Sequence, residues 1–309
     1  MSARVLGLAA AVIASGSSLQ AEVSVEPAEK SIRIEVNGSL FTEYHFGDVE
    51  RPYFYPVIGP GGAPMTRNYP ITEATEGEAE DHPHHTGLWF THGDVNGRDF
   101  WHDNPIKHSR LIEYTSGTDE GGFTVENDWV GDDGQSIATD RRVFTVIDRG
   151  DEEAPLAQYR ITITAGAEDV TFGDTKEGSM AIRLAATMRL KGEVGQGHIV
   201  NSSGDKDADT WGKRAAWCDY YGPVNGETVG VAIFDHPDNP RHPTWWHVRD
   251  YGLFAANPFG ISYFDNKPRG TGDLTLPAGE SVTWTYGFYF HEGTTEEAKV
   301  GAIYDGWAQ

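Results

Sequence analysis

Cysteine is nearly absent. Cys218 stands alone among 309 residues, so no intrachain disulfide can form and Cys-rich zinc clusters are excluded. Basic residues are scarce too: 24 Lys and Arg against 47 Asp and Glu give a formal charge of −23. Phosphate backbones and anionic lipid faces repel such a chain, which argues against nucleic-acid and membrane-surface partners. Beyond the N-terminal segment nothing approaches the ~20 consecutive apolar residues of a spanning helix, so no membrane insertion is expected. What the chain does have is 38% hydrophobic residues, enough for a packed core, and 37 Gly with 16 Pro, which favour frequent turns over long helices.

The first 21 residues read as an address. Arg4 supplies a positive start, Val5 to Ala14 is apolar, and Leu19-Gln20-Ala21 suits a cleavage site. This is the pattern of a secretory signal peptide, so an exported protein, periplasmic or extracellular, is expected. Cleavage after Ala21 removes only Arg4 and takes the charge from −23 to −24. Residues 22–309 contain no Ser-rich or Pro-rich linker and no visible repeat, which suggests one domain.

That domain reads as strands. In Ser31 to Phe46 two alternating runs flank Asn37-Gly38, a dipeptide suited to a tight hairpin turn. Further short runs rich in β-branched and aromatic residues lie at Arg110–Tyr114, Phe123–Val130, Arg142–Ile147, Gln158–Thr164, Ala181–Leu190, Thr228–Phe234 and Val282–Phe290. Such spacing favours a large antiparallel β-sandwich over alternating βα units. A short C-terminal helix is expected over Ala298–Trp307, behind a capping box at Thr294 to Glu297.

Three stretches depart from strand grammar: Arg51 to Pro70, Asp81 to Trp101, and Asp235 to Asn257. Eight of the twelve histidines fall in or beside the last two. Loops held by a rigid sheet are the usual place for binding and chemistry. An extended His82-Pro83-His84-His85 would put His82 and His84 on one face and His85 on the other, with His92 returning across a turn near Gly87. The imidazoles suit acid/base work near neutral pH, a Zn or Cu site on His82, His84 and His92, or loop-holding hydrogen bonds. The spacing matches no specific metal signature. Glu177 and Arg183 share a face if the stretch Glu177–Leu190 is a strand, and Arg183 among apolar residues needs a partner; acid/base and substrate-clamp roles compete there with a structural ion pair. Nine tryptophans is a high count, and Trp211, Trp217, Trp245 and Trp246 sit beside charged residues. Flat apolar rings next to polar groups are what a saccharide site requires, although tryptophans also fill sandwich cores.

At RPYFYPVIGPGGAPMTRNYP, DHPHHTGLWFTHGDVNGRDFW, KEGSMAIRLA, WGKRAAWCDYYG and IFDHPDNPRHPTWWHVRDYGLFAANPFG the sequence resembles a bacterial family called PmoA-like, or methane oxygenase PmoA, otherwise a domain of unknown function. The resemblance runs from about Pro52 to His291. Thr86 departs from it, standing where the family pattern has a basic residue. The resemblance implies a mutarotase-like supersandwich of the kind that handles sugars. The methane name itself fits poorly, because that enzyme subunit is an integral membrane protein and this chain has no spanning segment.

The resulting expectation is an exported carbohydrate-active enzyme of glycoside hydrolase, lyase or epimerase type, acting on an oligo- or polysaccharide. His85 and His92, with His84 beside them, would transfer protons, and Glu177 would be their carboxylate partner. Arg51, Tyr53 and Arg183 would orient the sugar. Trp101, Trp217 and Trp246 would stack on it, with Asp219 and His247 as polar partners. A non-catalytic saccharide-binding module and a Cu- or Zn-dependent oxidoreductase are the alternatives. The sequence points to no particular cofactor, with a divalent metal as the one candidate.

Overall fold

A computed structural model describes residues 22–150 and 155–309, so the signal-peptide expectation for residues 1–21 lies outside the described residues. The chain is an all-β sandwich of large antiparallel sheets, as its strand pattern predicts. The first sheet runs in the order β1 (Val23–Pro27), β2 (Ser31–Val36), β3 (Ser39–His45), β4 (Tyr53–Val57), β5 (Leu88–His92), β11 (Gly178–Arg183), β16 (Leu253–Asn257) and β15 (Trp245–Val248). The second runs β12 (His198–Asn201), β13 (Trp217–Val224), β14 (Glu227–Asp235), β18 (Ser281–Glu292), β9 (Leu156–Ala165), β8 (Ser136–Ile147), β7 (Glu120–Val130) and β6 (Ile106–Thr115). A separate ribbon pairs β10 (Val170–Phe172) with β17 (Leu274–Leu276). Asn37 and Gly38 take φ of 53° and 72° between β2 and β3, the left-handed pair that a two-residue hairpin needs.

Rings from both sheets interlock between them. Phe41 meets Phe290 at 5.4 Å, Phe54 meets Phe144 at 4.3 Å, and Tyr44 meets Phe123 at 5.0 Å. One charged pair is sealed inside. Arg142 donates to both Asp140 carboxylate oxygens at 2.9 and 2.6 Å, and Asn127 and Trp129 donate to the same carboxylate at 2.6 and 2.8 Å. Both charged side chains are inaccessible, and these added donors are what makes a buried ion pair tolerable.

Two local expectations shift. Strand β11 stops at Arg183, and Ala186–Met188 forms a 3-10 turn closed by Met188 N–H on the Ala185 carbonyl. The Thr294 and Glu297 capping contacts do form, at 2.9 Å, but they close a preceding turn. Helix α2 begins only at Val300 and ends at Trp307, because Lys299 before it is left-handed, with φ of 52°. The other helix, α1, is a single turn, Ile261–Phe264.

Candidate functional site

Strand β5 sorts its side chains by parity. Leu88 and Phe90 enter the sandwich core, whereas Trp89 joins a separate cluster with Trp101, Ala181, Leu253 and Ala255 on the outer face of the first sheet. Register carries a row across that face: Tyr53 pairs with Trp89, Trp89 with Ala181, Ala181 with Ala255, and Ala255 with His247. The two alanines keep the middle of the row low, and the Tyr53 and Tyr251 rings pack in beside them. Arg183, also on this face, lies opposite Leu253.

Over this floor sits the 81–85 loop, which is a turn and not the extended segment expected. His85 N–H bonds the His82 carbonyl at 3.0 Å, and His82 has a φ of 45°. The turn stacks the rings that an extended chain would separate. His85 lies between His82 at 4.8 Å and Trp89 at 5.3 Å, and His82 also stacks on Tyr251 at 5.3 Å. Arg183 donates to His85 Nδ1 at 3.0 Å and to Asp81 at 2.7 Å, and Arg67 reaches the same Asp81 oxygen at 2.8 Å. This is the partner that Arg183 requires. Burial, then the neighbouring imidazoles and guanidiniums, pushes His85 far below the ordinary histidine range, so its ring stays neutral. Its Nδ1 is an acceptor toward Arg183, which leaves the proton on Nε2. His85 is only 1% exposed, so it shapes the face from beneath His82.

His84 is the imidazole of this loop that lines an opening. With Tyr53, Thr86, Pro83, Pro70 and Ile71 it bounds a depression of about 320 Å³. Burial, then His102 and His82, lowers its pKa to about 3. The His102 ring meets it edge-on at 4.1 Å and is itself held by Asp99 at 2.7 Å. Burial raises the Tyr53 phenol, and the Thr86 hydroxyl is buried without a hydrogen-bond partner among the described residues.

Several expected site residues belong elsewhere. His92 has the parity of Leu88 and Phe90. It donates from Nε2 to the Gly173 carbonyl at 2.8 Å and packs on Phe259 at 4.4 Å, inside the sandwich. It therefore joins neither His85 in proton transfer nor His82 and His84 in a metal site. Among the described residues no group of three or more His, Cys, Asp or Glu converges for a metal. Arg51 gives its guanidinium to the Phe100, Trp101 and His102 carbonyls at 3.0, 2.8 and 3.3 Å, so it anchors the loop under His84, and it also lines the depression onto which His84 opens. Trp101 is in the floor but fully buried. Trp246 points into the core, donating to the Ala215 carbonyl at 2.9 Å. Trp217 packs toward α2 on the second sheet, and Asp219 there is buried against His291 at 3.0 Å and Thr295 at 2.5 Å. Glu177 comes just before β11 (Gly178–Arg183), and six residues at ~3.3 Å each put its Cα up to roughly 20 Å from that of Arg183. Glu177 pairs with Lys176 and is no direct partner of the 81–85 histidines.

Residues 31–305 match the model described as Family of unknown function (DUF6807). The chain belongs to that family. The description carries no activity and gives the PmoA name no support. No curated protein matches the sequence. This DUF6807 chain is similar to solved structures of carbohydrate enzymes and mutarotase-like proteins. A galactose mutarotase-like protein from Clostridium acetobutylicum has a TM-score of 0.41 at 12% identity, over 88% of this chain and 98% of that one. Galactose 1-epimerase from Lactobacillus acidophilus NCFM has a TM-score of 0.39 at 9%, over 88% and 98%. A Glycoside Hydrolase Family 97 enzyme from Pseudoalteromonas sp. strain K8, in complex with panose, has a TM-score of 0.40 at 10%, over 88% of this chain and 34% of its own. The DUF6807 chain thus spans about a third of the length of the glycoside hydrolase it matches.

Sequence reasoning missed Tyr251 and Arg249 as residues of this face. Arg183 lies over the Tyr251 ring at 4.7 Å, and Arg249 lies over it at 5.4 Å. The signal was available: Trp245, His247 and Arg249 alternate along one strand and its extension. Trp89 was equally readable by parity from Leu88 and Phe90.

Proposed function

We propose that the outer face of the first sheet is the active surface of an exported carbohydrate-active enzyme, of hydrolase, lyase or epimerase type, working on an oligosaccharide. One observation carries this reading. A sheet face that could have been plainly polar instead sets the half-buried Tyr53 and Tyr251 rings over a sealed Trp89–Trp101 floor, around neutral imidazoles and a carboxylate-held guanidinium. Aromatic planes with a few convergent polar groups recognise sugar rings and hydroxyls.

In this reading His84 accepts a hydrogen bond or proton from a sugar hydroxyl in the depression it shares with Tyr53. With its pKa lowered to about 3 the ring is neutral at every physiological pH. Tyr53 and Tyr251, kept protonated by burial, are the donors. Arg183 and Asp81 hold His85, and through it the stack under His82.

The test is turnover of neutral and uronic oligosaccharides by the secreted protein. Reducing ends, unsaturated products and anomeric exchange are followed together. His84→Ala should lower turnover by roughly 10²- to 10⁴-fold, the span of a general acid/base group, with binding within a few-fold of wild type. A wild-type protein that neither binds nor converts any glycan refutes the proposal. Binding without turnover favours the non-catalytic module, a reading supported by the near-complete burial of His85.

A further inference from the structure

Arg249 is unusual in a chain where acidic residues outnumber basic ones 47 to 24. Its guanidinium has no carboxylate or carbonyl acceptor among the described residues. It is held only by ring faces, Tyr251 at 5.4 Å and Trp211 at 6.0 Å. An arginine held by rings keeps all its N–H donors for something else. Its neighbour His247 is in a matching state. Trp211 Nε1–H donates to His247 Nδ1 at 3.0 Å, so Nδ1 carries no proton and the neutral ring bears it on Nε2. That N–H has no acceptor among the described residues, although His247 is only 1% exposed.

The charges around this N–H are cationic. Burial, then Lys176 and Arg249, lowers the His247 pKa to about 3. The nearby carboxylates have partners: Glu177 pairs with Lys176, Asp250 with Lys191 at 2.9 Å, and Asp265 accepts from Trp245 at 3.1 Å. Asp207 accepts from Ile199 N–H at 3.0 Å. Arg249 and Trp211 also line an open depression of about 350 Å³, whose wall they share with the already partnered Asp207 and Asp250. The His247 N–H without an acceptor and the unpaired Arg249 guanidinium, beside an indole, are donors open to an anion, and the Lys176 ammonium, shared with Glu177, adds its charge nearby.

We infer that His247, Arg249 and Lys176, walled by Trp211, form a subsite for an anionic substituent of a sugar, foremost the carboxylate of a uronic residue. This rests on the reading of the face as a saccharide site and names the class of saccharide. The carboxylate takes the Arg249 fork and the His247 Nε2–H, and the ring lies against Trp211. At the far end of the Tyr53–His247 row, the subsite fixes which end of the chain is anionic.

The test uses the full chain and calorimetry with three probes: an oligogalacturonate, its carboxyl-reduced counterpart, and a sulfated galactan oligosaccharide free of uronate. The oligogalacturonate should bind roughly 10- to 100-fold more tightly than the reduced form, as one or two charge-assisted hydrogen bonds provide. Arg249→Gln should erase that preference and leave the affinity for the reduced form within about twofold, with Lys176→Gln as a second variant should the first fold poorly. Preference for the sulfated probe over the oligogalacturonate assigns the subsite to sulfate and overturns the carboxylate assignment. Equal binding of acidic and reduced forms overturns the subsite while leaving the saccharide reading intact. No binding of any probe removes both.

Discussion

Asp81 is where the candidate site and the stability of the fold meet, so its replacement tests the account most directly. One oxygen of this carboxylate receives Arg183 at 2.7 Å and Arg67 at 2.8 Å, and these guanidiniums are 1% and 2% exposed. Arg67 is further tied to the Ala79, Asp81 and His82 carbonyls at 3.0, 2.8 and 3.0 Å. Asp81→Ala therefore removes one anion from two buried cations. Each charge-assisted hydrogen bond is worth about 1.5–3 kcal/mol. The two share an acceptor, and Asp81 is 41% exposed, so water relieves part of the loss. The net cost expected is about 2–3 kcal/mol, with Asp81→Asn near half of that because an acceptor oxygen remains. Urea titration should show this as a lower midpoint at unchanged slope. The Asp81 pKa is lowered: burial raises it, but Arg183 and then His82 outweigh that. The stabilisation is therefore present above the unfolded-state value of about 3.9 and lost as pH falls through the lower folded-state value. A loss below about 0.5 kcal/mol for Asp81→Ala would show that the guanidiniums do not depend on this carboxylate.

Other outcomes follow from the same geometry. Asp140→Asn should cost about 3–5 kcal/mol in the same titration, because Arg142 is left charged and sealed. His92, buried, has its pKa lowered to about 4. The unfolded chain takes up that proton first, so stability should be full above pH ~6.5 and fall toward pH 4, and His92→Asn should flatten the decline by up to ~1.4 kcal/mol per pH unit. Trp217→Ala should leave glycan affinity unchanged, since that ring packs toward α2 on the second sheet. Tyr251→Ala should weaken it by roughly tenfold, the loss of one stacking ring; affinity measurements on both variants check the assignment of the face.

The strands were legible wherever alternation was regular, as in the hairpin around Asn37-Gly38 and in Val282–Phe290. Gly and Pro content pointed only to frequent turns, and it was the alternating runs that distinguished a sheet protein from a helical one. The site was legible only as an inventory. Of the residues expected from sequence, His84, His85, Arg183, Tyr53 and His247 lie on or beside the outer face of the first sheet. It misassigned His92 and Trp246 because a rare polar or aromatic residue in a strand looks the same whichever side it faces, and only pairing with neighbours fixes the side. Trp217 and Asp219 were misassigned because adjacency in sequence said nothing of which sheet β13 would join. An extended His82-Pro83-His84-His85 separates His82 from His85, but the chain reverses there and stacks the two rings.

The alternation of β5 reaches beyond the site. Leu88, Phe90 and His92 build the interior, and Trp89 and Thr91 face outward. Five consecutive codons therefore answer to two separate selections. Saturation mutagenesis of this stretch should lower the yield of soluble protein at even positions through the sandwich core and at odd positions through the buried outer-face cluster, since Trp89 and Thr91 are 1% and 0% exposed. New specificities are more accessible from the 81–85 and 99–104 loops, where a change of length does not exchange inside for outside.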